Sequence, residues 1–350
     1  MFRVLKMGSA FVGIIVGAGF ASGQEILQYF TSFGFMGTFG ALLSAVLFAY
    51  LGMTLTKVGS RLQVLSHKDA IYTISGRWLG IIVDAVLIFT LFGVGVVMVA
   101  GAGSLLNQQF GLPVFVGNLI LIVLMLITML LNVHKVISVI GSITPFLILS
   151  VFAAAVYSLI TMDTSFTELE PIALKQESEF GHWITAAINY ASFNIAVGAS
   201  MSIIMGATEK NERIASLGGL VGGLLIGILI MLSHLAIFSK VDVVAVYDMP
   251  LLKIIDQIGP GLGIVFSIIL FGMIFNTGIS MFYGFVVRFS DPGRPNFLVW
   301  TLATLIIGFI ASFVGFTDLV AKVYFIIGNL GIFLIIALIY APFKLKKMGK

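Results

Sequence analysis

The residue best placed to do chemistry is a carboxylate, Glu25, inside the first long apolar stretch of the sequence. It ends the run Gly17-Ala18-Gly19-Phe20-Ala21-Ser22-Gly23-Gln24-Glu25, in which three glycines interrupt a helical hydrophobic pattern. Glycine loosens a helix, and a helix break at membrane depth persists only where it is buried in protein or lines a watery cavity. Because an ionisable side chain at that depth is costly, Glu25 marks a pathway or a binding site.

The composition shows what must surround this carboxylate. Of 350 residues, 59% are hydrophobic and 10% are charged, which is too little charge to cover a soluble globule of this length. Apolar runs of about 20 residues recur along the chain, each long enough to cross about 30 Å of hydrocarbon as a helix. The sequence therefore predicts an all-α, polytopic membrane protein. It has no cysteine, which excludes disulfides and thiolate metal sites.

The apolar runs predict ten transmembrane helices. They cover about residues 5–30, 33–59, 77–103, 113–133, 135–161, 182–206, 215–239, 262–288, 296–315 and 323–343. Of the 19 Lys and Arg residues, four lie on one side of this arrangement and 15 on the other; the four are Lys175, Lys240, Lys253 and Lys322. Since cytoplasmic loops are enriched in basic residues, this bias predicts a cell-membrane protein with cytoplasmic N and C termini.

The ten spans divide into two halves within a single transmembrane domain, 1–350. The first five occupy about residues 5–161, an external loop covers about 162–181, and the last five occupy about 182–343. An odd number of helices per half makes the second half enter the membrane upside down, so the sequence predicts a 5+5 inverted repeat with broken helices 1 and 6. The candidate break in the sixth span is the run Tyr190-Ala191-Ser192-Phe193-Asn194-Ile195-Ala196-Val197-Gly198-Ala199-Ser200, of which Asn194 to Ser200 would face the central site.

These features resemble those of the amino acid, polyamine and organocation (APC) superfamily, whose fold is the 5+5 inverted repeat of LeuT. The resemblance covers the whole chain, rests on the run from Gly17 to Gly23, and is greatest to the YkvI-like bacterial membrane proteins. The chain departs from the superfamily pattern in Glu25 and in the candidate break of its sixth helix, where the glycine pattern is reduced to one residue, Gly198. The resemblance implies a Na⁺- or H⁺-coupled secondary transporter of a small organic solute, an amino acid or an amine, that acts by alternating access.

The resemblance places the substrate between the two predicted breaks. The implied substrate-binding residues are Ala18, Gly19, Ala21, Ser22, Gly23, Gln24, Glu25, Phe89, Phe193, Asn194, Ala196, Gly198 and Ser200. Phe20, Phe89 and Phe193 are the aromatic candidates for contact with a substrate. Three roles are open for Glu25: to bind a substrate ammonium, to take up a coupling proton, or to stabilise the N-terminal end of its own half-helix.

The resemblance also implies a sodium site. Its ligands would be the carbonyls of Gly17 and Phe20 and the hydroxyls of Thr277 and Ser280, with Asn276 beside them. Thr277 and Ser280 are three residues apart and share one helix face, and oxygen ligands suit a hard cation. Each hydroxyl could instead bond back to its own helix. No cofactor other than the coupling ion is expected.

Two further residues in predicted spans, Asp84 and Pro145, are candidates for gating or proton transfer, and a third, His234, is not. Asp84 has no basic residue at a similar depth in sequence, which favours a side chain that reaches the basic cytoplasmic boundary over an inner gate or proton path. Pro145 removes a helix hydrogen bond in the fifth span, with Gly141 one turn earlier, and predicts a hinge or a static kink. His234 has no carboxylate partner in sequence and is expected near the outer surface.

The two external segments each have two interpretations. The first, 162–181, is rich in acidic residues and is either a solvated loop or a vestibule that attracts cations. The second, 240–261, contains an amphipathic stretch after Pro250 that is either a re-entrant lid or an interfacial helix.

Other functions stay open at this point. Met201 and Met205 could supply soft ligands in a divalent-metal carrier of the same fold. A channel or a non-transporting sensor is also compatible with broken helices. No phosphate-binding loop or zinc-protease motif is present, so no enzyme is expected. The expected partners are a small-molecule substrate and the lipid bilayer, with no nucleic acid, and the pattern carries no information on oligomeric state.

Overall fold

The computed structural model describes residues 1–63, 77–130 and 144–347, and all regular secondary structure in these ranges is helical. The helices are α1 (Phe2–Ile15), α2 (Ala18–Ser22), α3 (Gln24–Tyr29), α4 (Phe35–Leu62), α5 (Arg77–Phe110), α6 (Val114–Leu130), α7 (Thr144–Ile160), α8 (Phe166–Ala173), α9 (Trp183–Ala207), α10 (Glu212–Phe238), α11 (Val241–Val244), α12 (Pro250–Ile258), α13 (Pro260–Val287), α14 (Pro295–Ala311) and α15 (Phe316–Lys347). Short 3₁₀ turns occur at Thr31–Phe33 and Ser312–Val314.

Seven of these helices are long and apolar enough to cross a membrane, counted over the described residues: α4, α5, α9, α10, α13, α14 and α15. Helices α6 and α7 are apolar but shorter. The chain is therefore a multi-pass, all-helical membrane protein, as its composition predicts.

The first predicted span is broken where the glycine run predicts it. Helix α1 ends at Ile15, and α2 starts again at Ala18 after an extended Val16. A second interruption falls at Gly23, which has φ +85° and separates α2 from α3. Glycine is needed here because other residues rarely adopt this left-handed backbone, and because a side chain at Gly23 would press against the backbone of Leu251.

The predicted break in the sixth span is wrong, since α9 runs without interruption from Trp183 to Ala207. Two of its polar side chains bond back to the helix itself: Asn194 Nδ2 donates to the carbonyl of Tyr190 (3.0 Å) and Ser202 Oγ to that of Gly198 (2.8 Å). Gly198 serves close packing instead, because a Cβ there would overlap the side chain of Ile15 in α1. From the sequence alone, a small residue such as Gly198 can indicate either a helix break or close packing between helices.

Glycines also bring the long helices together at the centre of the protein. Gly219 and Gly223 of α10 lie against the backbone of α4 at Gly52 and Phe48, so these two helices form a central pair. Helix α9 packs on α4, and α1 packs on α10. Helix α5 packs on α13, and α15 packs on both α5 and α9.

The segment before α13 covers the break in the first span. Gln108 of α5 exchanges two hydrogen bonds with the backbone of Met249, donating from Nε2 (3.0 Å) and accepting at Oε1 (2.9 Å). This positions α12 so that Leu251 and Leu252 are fully buried and Leu251 lies on Gly23. The apolar face of α12 therefore packs on protein, as a lid would.

Two further residues within the spans have partners that the sequence did not show. Asp84 reaches a basic residue at the end of a span, as the favoured interpretation expects, since Nη1 of Arg288 at the end of α13 is 2.9 Å from Asp84 Oδ1. His234 is fully buried rather than at the outer surface, with Nδ1 3.1 Å from Thr31 Oγ1 and Nε2 3.0 Å from Thr38 Oγ1. Sequence position could not show either pairing, because the partners belong to distant helices.

Pro145 is the second residue of α7 and is exposed. Gly141 lies outside the described residues. The hinge in the fifth span therefore stays a prediction.

Candidate functional site

The carboxyl group of Glu25 lies at the break in the first span, against Gly19 of α2. Its side chain is 3% exposed, and Oε2 accepts a hydrogen bond from the Tyr190 hydroxyl at 3.1 Å. Its other oxygen occupies the space that a side chain on Gly19 would fill, so the carboxyl folds back from α3 onto α2. The glycine at position 19 thus makes room for the carboxylate.

The kink between α2 and α3 directs the Glu25 side chain towards Gly19 of α2. Ser22 Oγ donates to the carbonyl of Gly19 (2.6 Å) and accepts from the backbone amide of Gln24 (3.1 Å). One hydroxyl therefore satisfies backbone groups on both sides of the left-handed Gly23. These contacts explain how a short, broken segment holds a fixed shape.

Aromatic side chains form the wall of the site. The rings of Tyr29 and Tyr190 are 5.2 Å apart, and Phe193 stacks on Tyr324 at 4.0 Å with an interplanar angle of 18°. A Cβ on Gly19 would lie 3.2 Å from the Tyr324 hydroxyl, so Tyr324 also reaches the break. A carboxylate beside several aromatic faces is a suitable environment for an organic cation.

No ion pair joins Glu25 to a Lys, Arg or His in the described part of the chain. Its hydrogen bond comes from Tyr190 on α9 rather than from the amides of its own helix. A buried carboxyl group without a cationic partner is left to a proton or to a cationic ligand.

Polar contacts connect the three helices around the site. Asn189 on α9 donates from Nδ2 to the carbonyl of Phe325 (3.1 Å) and to Asn329 Oδ1 (3.2 Å), and its Oδ1 accepts from the Tyr29 hydroxyl (3.4 Å). Ser192 Oγ donates to the carbonyl of Gly328 at 2.6 Å. Helix α15 is thereby held against α9, and α3 is attached to both.

The structure brings part of the predicted sodium site together. A Cβ on Gly17 would lie 3.9 Å from Thr277 Oγ1, so the first break faces α13 at this residue. Asn276 Oδ1 is buried without a hydrogen-bond partner among the described residues. Ser280 Oγ instead donates to the carbonyl of Asn276 at 2.7 Å, which is the alternative of bonding to its own helix.

The two predicted carbonyl ligands each already accept one backbone hydrogen bond. The carbonyl of Gly17 accepts from Ala21, and that of Phe20 accepts from Gly23, both at 3.1 Å. A carbonyl oxygen has two lone pairs, so each keeps one acceptor position for a cation.

Several predicted substrate residues lie elsewhere. Phe89 is 39% exposed and lines an apolar groove on the outside of the bundle with Trp300 and Ile307, so its placement at the centre is wrong. From the sixth span, Ala196 faces α15 near Gly331, and Ser200 is half-buried. The hydrogen bond from α9 to Glu25 comes instead from Tyr190, one helical turn before Asn194. Ala18, Phe20 and Ala21 are buried within α2.

No family model matches the chain. It is similar to the uncharacterized membrane protein YkvI of Bacillus subtilis (strain 168), with 28% identity over 338 residues, 95% of this chain and 94% of that protein. Among solved structures it resembles MhsT in complex with L-phenylalanine, with a TM-score of 0.63, 16% identity, and coverage of 97% of this chain and 96% of MhsT. It also resembles a manganese transporter of Eremococcus coleocola, with a TM-score of 0.57, 15% identity, and coverage of 98% and 78%.

The solved structures establish the architecture only. At 15–16% identity the likeness concerns the fold, and that fold is the one of LeuT-type transporters. The similarity to YkvI and to this fold agrees with two expectations based on the glycine run, the YkvI-like relatives and the LeuT-type fold.

The sequence did not identify Tyr190, Tyr324 and Tyr29 as site residues. Each is fully buried: Tyr190 bonds to Glu25, Tyr324 lies near Gly19, and Tyr29 packs on Tyr190. The signal for Tyr190 in the sequence is its position beside Asn189, at the start of the run predicted as the break in the sixth span. Tyr324 lies in the last long helix, and nothing in the sequence alone shows that this helix reaches the first.

Proposed function

We propose that the protein is a secondary active transporter, coupled to Na⁺ or H⁺, that carries an amino acid or an amine across the cell membrane without catalysing a reaction. The observation that supports this most is the buried Glu25 carboxyl at a helix break, bonded to Tyr190 and without a cationic partner in the described residues. A permanent structural carboxylate would normally have such a partner. A solute or ion that enters and leaves would complete this site.

The proposed architecture is ten spans in a 5+5 inverted repeat, with α1, α2 and α3 together forming the first span and with both termini cytoplasmic. The packing of helix pairs supports it. In an inverted repeat, α9 of the second half is equivalent to the first span, and α10 is equivalent to α4. The packing of α1 on α10 is then equivalent to the packing of α9 on α4, and both pairs are present. The central pair of α4 and α10 is its own equivalent. Rocking of the two halves would expose the site to each side in turn.

The chemistry around Glu25 supports this substrate class. A carboxylate flanked by Tyr190 and Tyr324 favours an ammonium group, which both amines and amino acids carry. An aromatic wall that includes the stacked pair of Phe193 and Tyr324 also accommodates an apolar side chain. The ligand of the similar structure MhsT, L-phenylalanine, therefore belongs in any panel of test compounds.

Two coupling ions are compatible with the site. Sodium would bind near Gly17 and Thr277, with Asn276 Oδ1 as a further oxygen. A proton would bind Glu25 itself, in which case the same carboxyl could alternate between proton and substrate. The two forms of coupling differ in whether a sodium gradient or a pH gradient drives uptake.

A divalent-metal carrier is the weaker candidate. No group of three or more His, Cys, Asp or Glu that could hold a metal occurs in the described residues. Met201, one of the two candidate soft ligands, is 57% exposed on α9. The similarity to a manganese transporter lies in the fold and does not supply these ligands.

A thermal-shift screen tests the proposal. Purified protein would be heated with amino acids and amines, each with and without sodium, because a ligand that binds the folded state raises the melting temperature. We expect at least one amine or amino acid to stabilise the protein, and Glu25→Gln to remove that shift. Asp163→Asn, an exposed acid of the external loop, is the control and should keep it. A screen in which only divalent metals stabilise the protein would refute the proposal.

A further inference from the structure

A pocket of about 330 Å³ lies between the last turns of α4 and the first turns of α10, at one end of two membrane-spanning helices. Lys57 lines it from α4, and Arg213, Ser216 and Leu217 line it from α10. Glu212 is the acidic residue of this lining. The pocket thus combines two cations, a hydroxyl group and an apolar side chain.

The two basic side chains of the pocket have no acidic partner in the described part of the chain. Neither Lys57, which is half-buried, nor Arg213, which is exposed, forms an ion pair there. Glu212 does not compensate them, because its Oε1 is 3.6 Å from Nε of Arg61 and balances that charge instead. Two cations that share one pocket repel each other, and an anion bound between them removes this repulsion.

The donors of the pocket suit a phosphate group. A guanidinium group donates two parallel hydrogen bonds to phosphate oxygens, an ammonium group supplies a compact charge, and the Ser216 hydroxyl adds a donor. The backbone amides at the start of α10 are already satisfied, since Asn211 Oδ1 accepts from those of Arg213 (3.0 Å) and Ile214 (3.2 Å). An anion in this pocket is therefore bound by side chains.

The surface that continues from the pocket along the two helices is apolar and exposed. On α10, Leu217 and Leu224 follow Arg213 by four and eleven residues, and both are exposed. On α4, Val46 precedes Lys57 by eleven residues and is also exposed. Residues at these spacings lie on one face of a helix. Each basic residue therefore lies at the end of a face that meets lipid.

The two apolar faces are neighbours, because α4 and α10 pack along their length, with Gly219 on Gly52 and Gly223 on Phe48. A ligand whose phosphate occupies the pocket can therefore place hydrocarbon on the adjoining surface. We propose that the pocket binds the phosphate group of an anionic phospholipid, with its acyl chains along α4 and α10. In the proposed topology this lipid belongs to the cytoplasmic leaflet, whose anionic lipids are attracted to basic residues beside membrane spans.

The proposal is tested by the binding of radiolabelled phosphatidylglycerol to the purified full chain in detergent micelles. The competitors are unlabelled phosphatidylglycerol, phosphatidylcholine with the same acyl chains, and inorganic phosphate. The first two compare an anionic with a zwitterionic lipid, and the third distinguishes a membrane lipid from free phosphate as the ligand. Ionic strength is held constant with potassium chloride, because salt screens exposed charges. Melting temperatures show that each variant is folded.

We expect phosphatidylglycerol to displace the label at a concentration about tenfold or more below that of either other competitor. Lys57→Gln combined with Arg213→Gln should weaken binding of the label about tenfold or more, because each change removes a charged donor to the phosphate. Arg213→Gln alone, at an exposed position, should cause a smaller loss. Lys6→Gln is the matched control, since Lys6 is an exposed cation on the same side in the proposed topology and does not line the pocket. It should leave binding unchanged.

Three results would overturn the proposal. Displacement by phosphatidylcholine as effective as that by phosphatidylglycerol would show that the pocket does not select an anionic lipid. Equally effective displacement by inorganic phosphate would assign the pocket to a free anion. An equal loss of binding in Lys6→Gln and in the double variant would indicate general surface charge instead of a site. The proposed transport function would survive each of these results, because it depends on Glu25.

Discussion

The hydroxyl of Tyr190 donates a hydrogen bond to Oε2 of Glu25 across 3.1 Å, and both residues are buried. This contact joins α3, the last part of the broken first span, to the unbroken helix α9. Any movement that separates these helices must break it. The same contact fixes the carboxylate at the place where the aromatic wall begins.

Replacing Tyr190 with Phe should therefore weaken substrate binding without unfolding the protein. The ring packing against Tyr29 and Phe30 is kept, and only the hydroxyl is lost. A hydrogen bond to a charged group contributes about 1.5–3 kcal/mol, so the dissociation constant should rise roughly tenfold or more. Ligand titration of the purified variant measures this. An unchanged affinity would show that the hydroxyl does not position Glu25 for the ligand.

Replacing Gly19 with Ala should abolish binding, because the added Cβ would occupy the space of Glu25 Oε1. The displaced carboxyl would have to leave its bond with Tyr190. Gly261→Ala is the matched control, since a Cβ there meets open space. Titrating both variants with the same ligand gives the comparison. Equal affinities for the two would argue that Glu25 need not lie against α2.

Replacing Gly198 with Ala should destabilise the protein by about 1–3 kcal/mol through overpacking against Ile15. Combining it with Ile15→Ala should restore part of the loss, because the smaller side chain makes room. Thermal melting of the two single variants and the double variant measures the coupling. If the destabilisation of the double variant equalled the sum of the destabilisations of the two single variants, Gly198 would have a role other than this contact.

The side of the membrane that each loop faces can be tested directly, since the natural chain has no cysteine. Asp163→Cys in the external loop should react with an impermeant thiol reagent in intact cells. Arg213→Cys at the start of α10 should react only after permeabilisation. Both positions are exposed. The reverse pattern would contradict cytoplasmic termini and the bias of basic residues on which they rest.

The sequence predicted those features that depend on local pattern. The apolar runs predicted the all-helical, membrane-spanning class, and the run from Gly17 to Gly23 predicted the broken first span and the position of Glu25. Both follow from hydropathy and from the backbone freedom of glycine, which neighbouring residues alone determine.

Features that depend on packing between distant helices were not predictable. Gly198 looked like a break because small residues serve both loosening and close packing, and only the position of Ile15 distinguishes them. Asp84 looked unpaired because Arg288 lies 204 residues away in sequence. Phe89 shares a helix with buried residues, but its own face of α5 is turned to the outside.

The most direct test of the central claim is counterflow uptake of a labelled amine or amino acid, identified by the thermal-shift screen, into proteoliposomes. We expect wild-type protein to accumulate the solute and to respond to an imposed sodium or pH gradient. Glu25→Gln should lower uptake to the level of empty liposomes, whereas Asp163→Asn should transport normally. Uptake by Glu25→Gln at the wild-type rate, with the same response to both gradients, would contradict the account.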